Sequence, residues 1–249
     1  MKLSICLNSV TGSLTKPDAI RLAKKLGYQA VEFWDGSGFP IDEVKAALTD
    51  TGVKLACMGV SSGLVDPATR PQFLETLKTC MANAKTLGAK GLIATTGQEL
   101  TDVPREAQHQ SIVDGLKEAA KVLEGTDFIL NLEPLNLLVN HAGYYLSTSC
   151  EAFEIIRKVN SPNVKVLFDI YHQQITEGNL IANITSNIGL IGHFHVAGNP
   201  GRGEPYLGEI NYKEVFKTID AAGYEGYAGL EYWPVVDGME ESLVKVLNM

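Results

Sequence analysis

Four apolar runs in the second half of this 249-residue chain each finish in a side chain able to hold a cation or move a proton. They are Asn131-Leu132-Glu133, Leu167-Phe168-Asp169, His193-Phe194-His195 and Gly229-Leu230-Glu231. The intervals from Glu133 to Asp169, to His195 and to Glu231 are 36, 26 and 36 residues, each about one strand-plus-helix repeat. If the four runs are neighbouring strands, three carboxylates and one imidazole gather on one rim. Three carboxylates do not converge cheaply without a cation between them. A mostly oxygen donor set with one imidazole suits Mn or Mg, with Co or Zn as alternatives. A lone glutamate after an apolar strand ordinarily opens a solvated loop. Four such residues in consecutive units are harder to read that way, because strands are depleted in acids.

Neighbouring residues extend the set. His193 and His195 point to the same side of their strand. The later one, His195, is the better candidate ligand, which leaves His193 packed beneath or beside it. His172 lies three residues past Asp169, on the loop that should follow the strand, and is a candidate substrate contact. Arg202 sits in the rigid loop Gly198-Asn199-Pro200-Gly201-Arg202-Gly203-Glu204-Pro205. Its fork of donors suits a carboxylate or paired hydroxyls, and a surface pair with Glu204 is the competing reading. Trp34 and Trp233 are placed at strand ends, where they either pack the core or wall a small-molecule site. His109 and His141 carry no pattern and are expected on the surface.

The elements that must position these groups alternate from end to end. Strand-like runs fall at 3–7, 30–34, 54–60, 91–95, 128–132, 164–169, 191–196 and 227–232. Helical periodicity or helix signals fall between them, at 17–26, 41–48, 71–87, 108–123, 151–159, 180–188 and 212–222, with a last helix at 239–247. Continuous apolar strands imply a parallel sheet covered on both faces. Eight such units over residues 1–249, with no linker or composition shift, predict an α/β fold of one domain, a (β/α)8 TIM barrel. The strand ends then face the active-site mouth. An open doubly wound sheet is the alternative, but residues 8–13 lack the glycine-rich phosphate turn after the first strand.

The formal charge of −8, with no cluster of Lys and Arg, disfavours a nucleic-acid partner. The chain has no stretch of 18 apolar residues and starts with no signal-peptide pattern, so a cytoplasmic enzyme without membrane contact is expected. The four cysteines, Cys6, Cys57, Cys80 and Cys150, show no paired spacing and are expected to be reduced and mostly buried.

Several segments together resemble the xylose isomerase-like barrel superfamily, and within it the hydroxypyruvate isomerase group. They are Leu132-Glu133-Pro134-Leu135-Asn136, Phe168-Asp169-Ile170-Tyr171-His172-Gln173, Asn199-Pro200-Gly201-Arg202 with Glu204-Pro205, Gly208-Glu209-Ile210-Asn211-Tyr212, and Gly229-Leu230-Glu231-Tyr232. The resemblance implies a divalent metal held by Glu133, Asp169, His195 and Glu231. It implies that Glu133 and Glu231 act as the acid–base pair, and that His172 and Arg202 orient the substrate. The implied reaction is isomerisation of a small hydroxy-carbonyl compound through an enediolate, hydroxypyruvate to tartronate semialdehyde first. Ketose 3-epimerases of the superfamily carry His at the position of His195, where the isomerases often carry Gln. Epimerisation or another sugar isomerisation therefore stays open, as does a barrel that binds metal or sugar without turnover. The resemblance also allows a homo-oligomer.

Overall fold

Residues 1–249 are described by a computed structural model. Strand β1 (Lys2–Cys6) runs straight into a single helical turn, α1 (Leu7–Val10). Helix α2 (Lys16–Leu26) starts on Thr15, whose hydroxyl accepts from the Asp18 N–H, and stops on Gly27 at φ 93°, a left-handed turn that glycine adopts without steric cost. Then come β2 (Ala30–Phe33), α3 (Ile41–Thr51), β3 (Lys54–Gly59), α4 (Arg70–Leu87) and β4 (Gly91–Ala94). Helix α5 (Arg105–Leu123) begins a turn earlier than its periodicity suggests, directly after Pro104.

The second half holds β5 (Ile129–Leu132), α6 (Ser149–Val159), β6 (Val164–Asp169), α7 (Ile170–Thr176), α8 (Leu180–Asn187) and β7 (Ile191–Val196). It closes with α9 (Tyr212–Ala221), β8 (Tyr227–Leu230) and α10 (Met239–Leu247). Helix α7 corrects the expected loop after β6, so His172 is helical. None of the helices is long and apolar enough to cross a membrane.

The eight strands are parallel and pair in chain order into a closed barrel. Closure comes from β1 on β8, with Lys2 opposite Tyr227 and Ile5 opposite Leu230. The register brings Asp169 beside His195, and His195 beside Gly229. Two further contacts continue the ladder past the strand ends: the Glu133 N–H donates to the Ala94 carbonyl at 3.0 Å, and the Glu231 N–H to the Val196 carbonyl at 2.9 Å. Both carboxylates therefore leave a fixed backbone rather than a free loop.

Aromatic packing behind β6 and β7 makes that frame stiff. Phe168 stacks on Phe153 of α6 at 6.4 Å and meets Phe194 edge-on at 6.2 Å, all three buried. Burying each such ring contributes about 1.5–3 kcal/mol. Cys6, Cys57 and Cys80 are buried free thiols, as expected, while Cys150 is exposed.

Candidate metal and acid–base site

Each predicted site residue arrives by a local device. Asp169 ends β6 and caps α7, its Oδ1 accepting from the His172 N–H at 3.1 Å. The cap fixes the carboxylate and leaves Oδ2 for the barrel mouth. Glu133 and Glu231 each stand one residue beyond a strand, and His195 stands inside β7. Ligand atoms of Glu133, Asp169, His172 and Glu231, all buried, lie within 4.8 Å of one another. His195 joins them through Nδ1, which is 3.3 Å from Glu133 Oε1 and 3.4 Å from Glu231 Oε2.

Glu133 Oε1, His172 Nε2 and His195 Nδ1 are buried without an aligned hydrogen-bond partner. Buried polar atoms are ordinarily paired, so three unpaired ones converging among carboxylates are those of a site built for a further group. The donor set, three carboxylates with imidazole, fits a divalent cation.

The two histidines differ in which nitrogen they offer. Asn136 Oδ1 accepts from the N–H groups of Val139 and Asn140 at 3.0 and 3.2 Å, which turns its amide nitrogen toward His172. That nitrogen approaches His172 Nδ1 at 2.6 Å, and the Asn136 backbone N–H donates to the same atom at 3.3 Å. Nδ1 is thus an acceptor, and the proton of the neutral ring sits on Nε2, facing the site. Burial, helped by the Arg202 cation, pushes His172 down to about 3 and keeps it neutral. His172 is a donor toward the site, and His195 Nδ1 is the imidazole nitrogen better suited to a metal.

Arg202 takes the positive φ of 56°, a conformation uncommon outside glycine and asparagine. Its guanidinium pairs with Glu231, lies 3.9 Å from Asp169 Oδ2, and sits between the rings of Tyr171 and Trp233 at 5.4 and 5.1 Å. The expected competitor, an Arg202–Glu204 pair, does not form. Glu204 Oε1 instead accepts from the N–H groups of Val235, Val236 and Asp237 at 2.9, 2.9 and 3.2 Å, tying the loop after β7 to the loop after β8.

These surroundings set the two glutamates apart. Burial raises the Glu133 carboxyl, and Asp169 likewise, above the usual carboxylate range. Burial also works against an ionised Glu231, but His195 and Arg202 outweigh it and hold that carboxyl low. Trp34 Nε1–H donates to Glu231 Oε1 at 2.6 Å, adding to the same effect. Carboxyl groups pushed in opposite directions are the arrangement that acid–base pairs use.

All six predicted residues meet at one place. Four of them, Glu133, His195, Arg202 and Glu231, line a cavity of about 430 Å3 together with Trp34, Trp233, Ser61, Thr95, His141 and Tyr144 among others. Trp34 and Trp233 are half-exposed walls rather than core. His141 therefore faces the site, and His109 is buried against Glu151 at 3.2 Å; neither is the surface residue expected. Glu32 of β2 escaped the sequence reading. It is buried between His193 Nε2 at 2.9 Å and His195 Nε2 at 2.8 Å, the second contact lacking hydrogen-bond alignment. An acid inside Ala30-Val31-Glu32-Phe33 was the available signal, since buried acids are paired.

The profile of the xylose isomerase-like TIM barrel family matches residues 20–246. Hydroxypyruvate isomerase of Escherichia coli is 31% identical over 85% of this chain and 85% of its own length. The 2-oxo-tetronate isomerase of Cupriavidus necator is 29% identical over 87% of this chain and 86% of its own. Among solved structures, AP endonuclease, family 2, from Brucella melitensis superposes with a TM-score of 0.93 at 25% identity, covering 99% of this chain and 98% of that one.

Proposed function

Because the chain belongs to the xylose isomerase-like TIM barrel family, and is an isomerase within it, we propose that it is a divalent-metal-dependent isomerase converting hydroxypyruvate to tartronate semialdehyde. The observation that carries this reading is the convergence of unpaired ligand atoms between two glutamates held in unlike fields. Glu133, Asp169, His195 through Nδ1, and Glu231 would hold the ion, Mn or Mg by their oxygen-rich character, with Co or Zn as alternatives. When bound, it supplies Lewis-acid charge that stabilises the enediolate.

The chain's own groups do the rest. His172 Nε2–H and the free donors of Arg202 orient the substrate oxygens. One of Glu133 and Glu231 takes the proton from the hydroxyl-bearing carbon, and a proton returns to the neighbouring carbon from the pair. The proton of the hydroxyl passes to the former carbonyl oxygen, so hydroxyl and carbonyl exchange places and the step is a shift of two hydrogens with no net redox change. Both glutamates are buried and backbone-anchored, and Trp34 and Trp233 narrow the mouth, which supplies the fixed geometry that a carboxylate base needs.

A ketose 3-epimerase is the second reading. The cavity is roomier than a three-carbon acid requires, and its lining includes the neutral hydroxyls of Ser61, Thr95 and Tyr144. Proton NMR in D2O on Mg-loaded protein separates the readings. The panel holds hydroxypyruvate, tartronate semialdehyde, 2-oxo-tetronate and several ketoses, each with and without EDTA. Metal-dependent deuterium uptake at one carbon supports the enediolate and names the substrate. Metal bound with no exchange on any compound would leave a binding barrel and sink the isomerase mechanism.

A further inference from the structure

We propose that Glu32 is a positioning residue: it fixes which nitrogen of His195 is offered to the metal. The inference rests on the metal-dependent reading above and adds a residue outside the ligand set. Glu32 belongs to β2, three strands round the closed barrel from β7, and is 1% exposed. It does not line the substrate cavity. Its Oε2 is engaged twice, while Oε1 has a close neighbour that is not aligned as a hydrogen bond. Ser4 Oγ donates to Oε2 at 2.6 Å, and His193 Nε2 shares that oxygen at 2.9 Å. Oε1 faces His195 Nε2 at 2.8 Å.

A neutral imidazole has one donor nitrogen and one acceptor nitrogen, and the partner of the first decides the identity of the second. An anionic oxygen 2.8 Å from Nε2 favours the proton of a neutral His195 on that nitrogen. Nδ1 is then the lone-pair nitrogen, and it is Nδ1 that lies 3.3 Å from Glu133 Oε1 and 3.4 Å from Glu231 Oε2. Without Glu32 the proton is free to sit on Nδ1, among carboxylates that would welcome it, and the nitrogen is lost to a metal. Ser4 and His193 hold the carboxylate in place for this task, and the His193 and His195 rings stand nearly perpendicular, at 83°.

Gly229, the register partner of His195 on β8, completes the device. A Cβ added there would lie 2.1 Å from Glu32 Oε1, so only glycine leaves the carboxylate its position. Two separate positions, Glu32 and Gly229, thus converge on one nitrogen.

The test is Mn2+ binding by calorimetry to wild type, Glu32→Gln and Gly229→Ala. Glu32→Gln removes the charge at near-constant shape, and Gly229→Ala displaces the intact carboxylate. Each should weaken Mn2+ about 10–100-fold, the range for a lost partner of a metal-bound histidine. The Mn2+ concentration that half-saturates turnover should rise far more than the plateau rate falls, whereas a general packing fault lowers the plateau. Histidine 15N correlation spectra of Zn2+-loaded wild type should show His195 protonated at Nε2. Affinity within about threefold of wild type in a folded variant, or a proton on Nδ1, overturns the assignment of Glu32 and leaves the metal site standing. A wild type that binds no Mn2+ overturns both. If neither variant folds, the wild-type spectra decide.

Discussion

Removing the Glu204 carboxylate should loosen the mouth of the barrel more than any change of a surface acid. Glu204 is buried, and one of its oxygens receives three backbone N–H groups from the loop that follows β8. Hydrogen bonds to a charged group are worth about 1.5–3 kcal/mol each, but Val235 and Val236 are exposed, so water replaces part of what is lost. A total of about 3 kcal/mol for Glu204→Ala follows. For a chain of this size that is a fall of about 6–12 °C in Tm. Glu204→Gln keeps an acceptor oxygen and loses only the charge, so about 1–2 kcal/mol is expected. The pH dependence has a definite sign. Burial opposes ionisation of Glu204, yet the three N–H groups prevail and its carboxyl is lowered. Its stabilisation is therefore complete above the unfolded glutamate value of about 4.3 and is lost as pH falls through the lower folded value. Thermal unfolding of wild type and Glu204→Gln from pH 7 to pH 3 checks this. A gap below about 0.5 kcal/mol at pH 7, or one that widens in acid, would refute the clamp.

Other outcomes follow from the same geometry. Glu133→Gln and Glu231→Gln should each abolish turnover with the far-UV circular dichroism unchanged; retained activity in either removes it from the acid–base pair. Since the Glu133 carboxyl is raised by burial, ionising it disfavours the metal-free fold above its folded value. Metal-free Glu133→Gln should therefore melt above wild type at pH 7 and lose that advantage in acid, as differential scanning calorimetry would show. Wild type with Mn2+ at 100 times its Kd should gain about 2.7 kcal/mol, or about 5–11 °C, and EDTA should reverse it; an unchanged Tm at full occupancy contradicts metal binding to the folded state. Trp34→Phe loses the indole donor to Glu231 while keeping an aromatic wall. The loss of about 1.5–3 kcal/mol predicts a kcat/KM lower by about 10- to 150-fold, and an unchanged value would remove Trp34 from the site.

The repeat of apolar runs was enough to predict eight strands and their closure, because parallel strands buried on both faces leave a period that needs no partner to be seen. The four strand-end residues were legible for the same reason: an acid closing an apolar strand stands out locally. What the sequence hides is pairing across the barrel. Glu32 and His193 are 161 residues apart, and nothing near either announces the other. His172 looked like a loop residue because Ile170-Tyr171-His172-Gln173 is too short to show helical periodicity; the Asp169 cap makes the helix. His141 has no patterned neighbours, and only the packing of the loop after β5 turns it toward the cavity. The positive φ of Arg202 likewise has no sequence signal, since the glycines on either side are the ones that advertise such a turn.

The pairing of β1 with β8 makes chemistry wait for topology. Glu231 lies one residue beyond the closing strand, and its donor Trp34 one residue beyond β2, so neither is placed until residues 2–5 meet residues 227–230. That contact spans nearly the whole chain and belongs to the class of pairings formed late and slowly. During synthesis, Glu133, Asp169 and His195 all emerge before the strand that completes them. A nascent or nicked barrel would thus hold most of the proposed ligands and none of the closed geometry, and tight metal capture would serve as a readout of the moment the ring shuts.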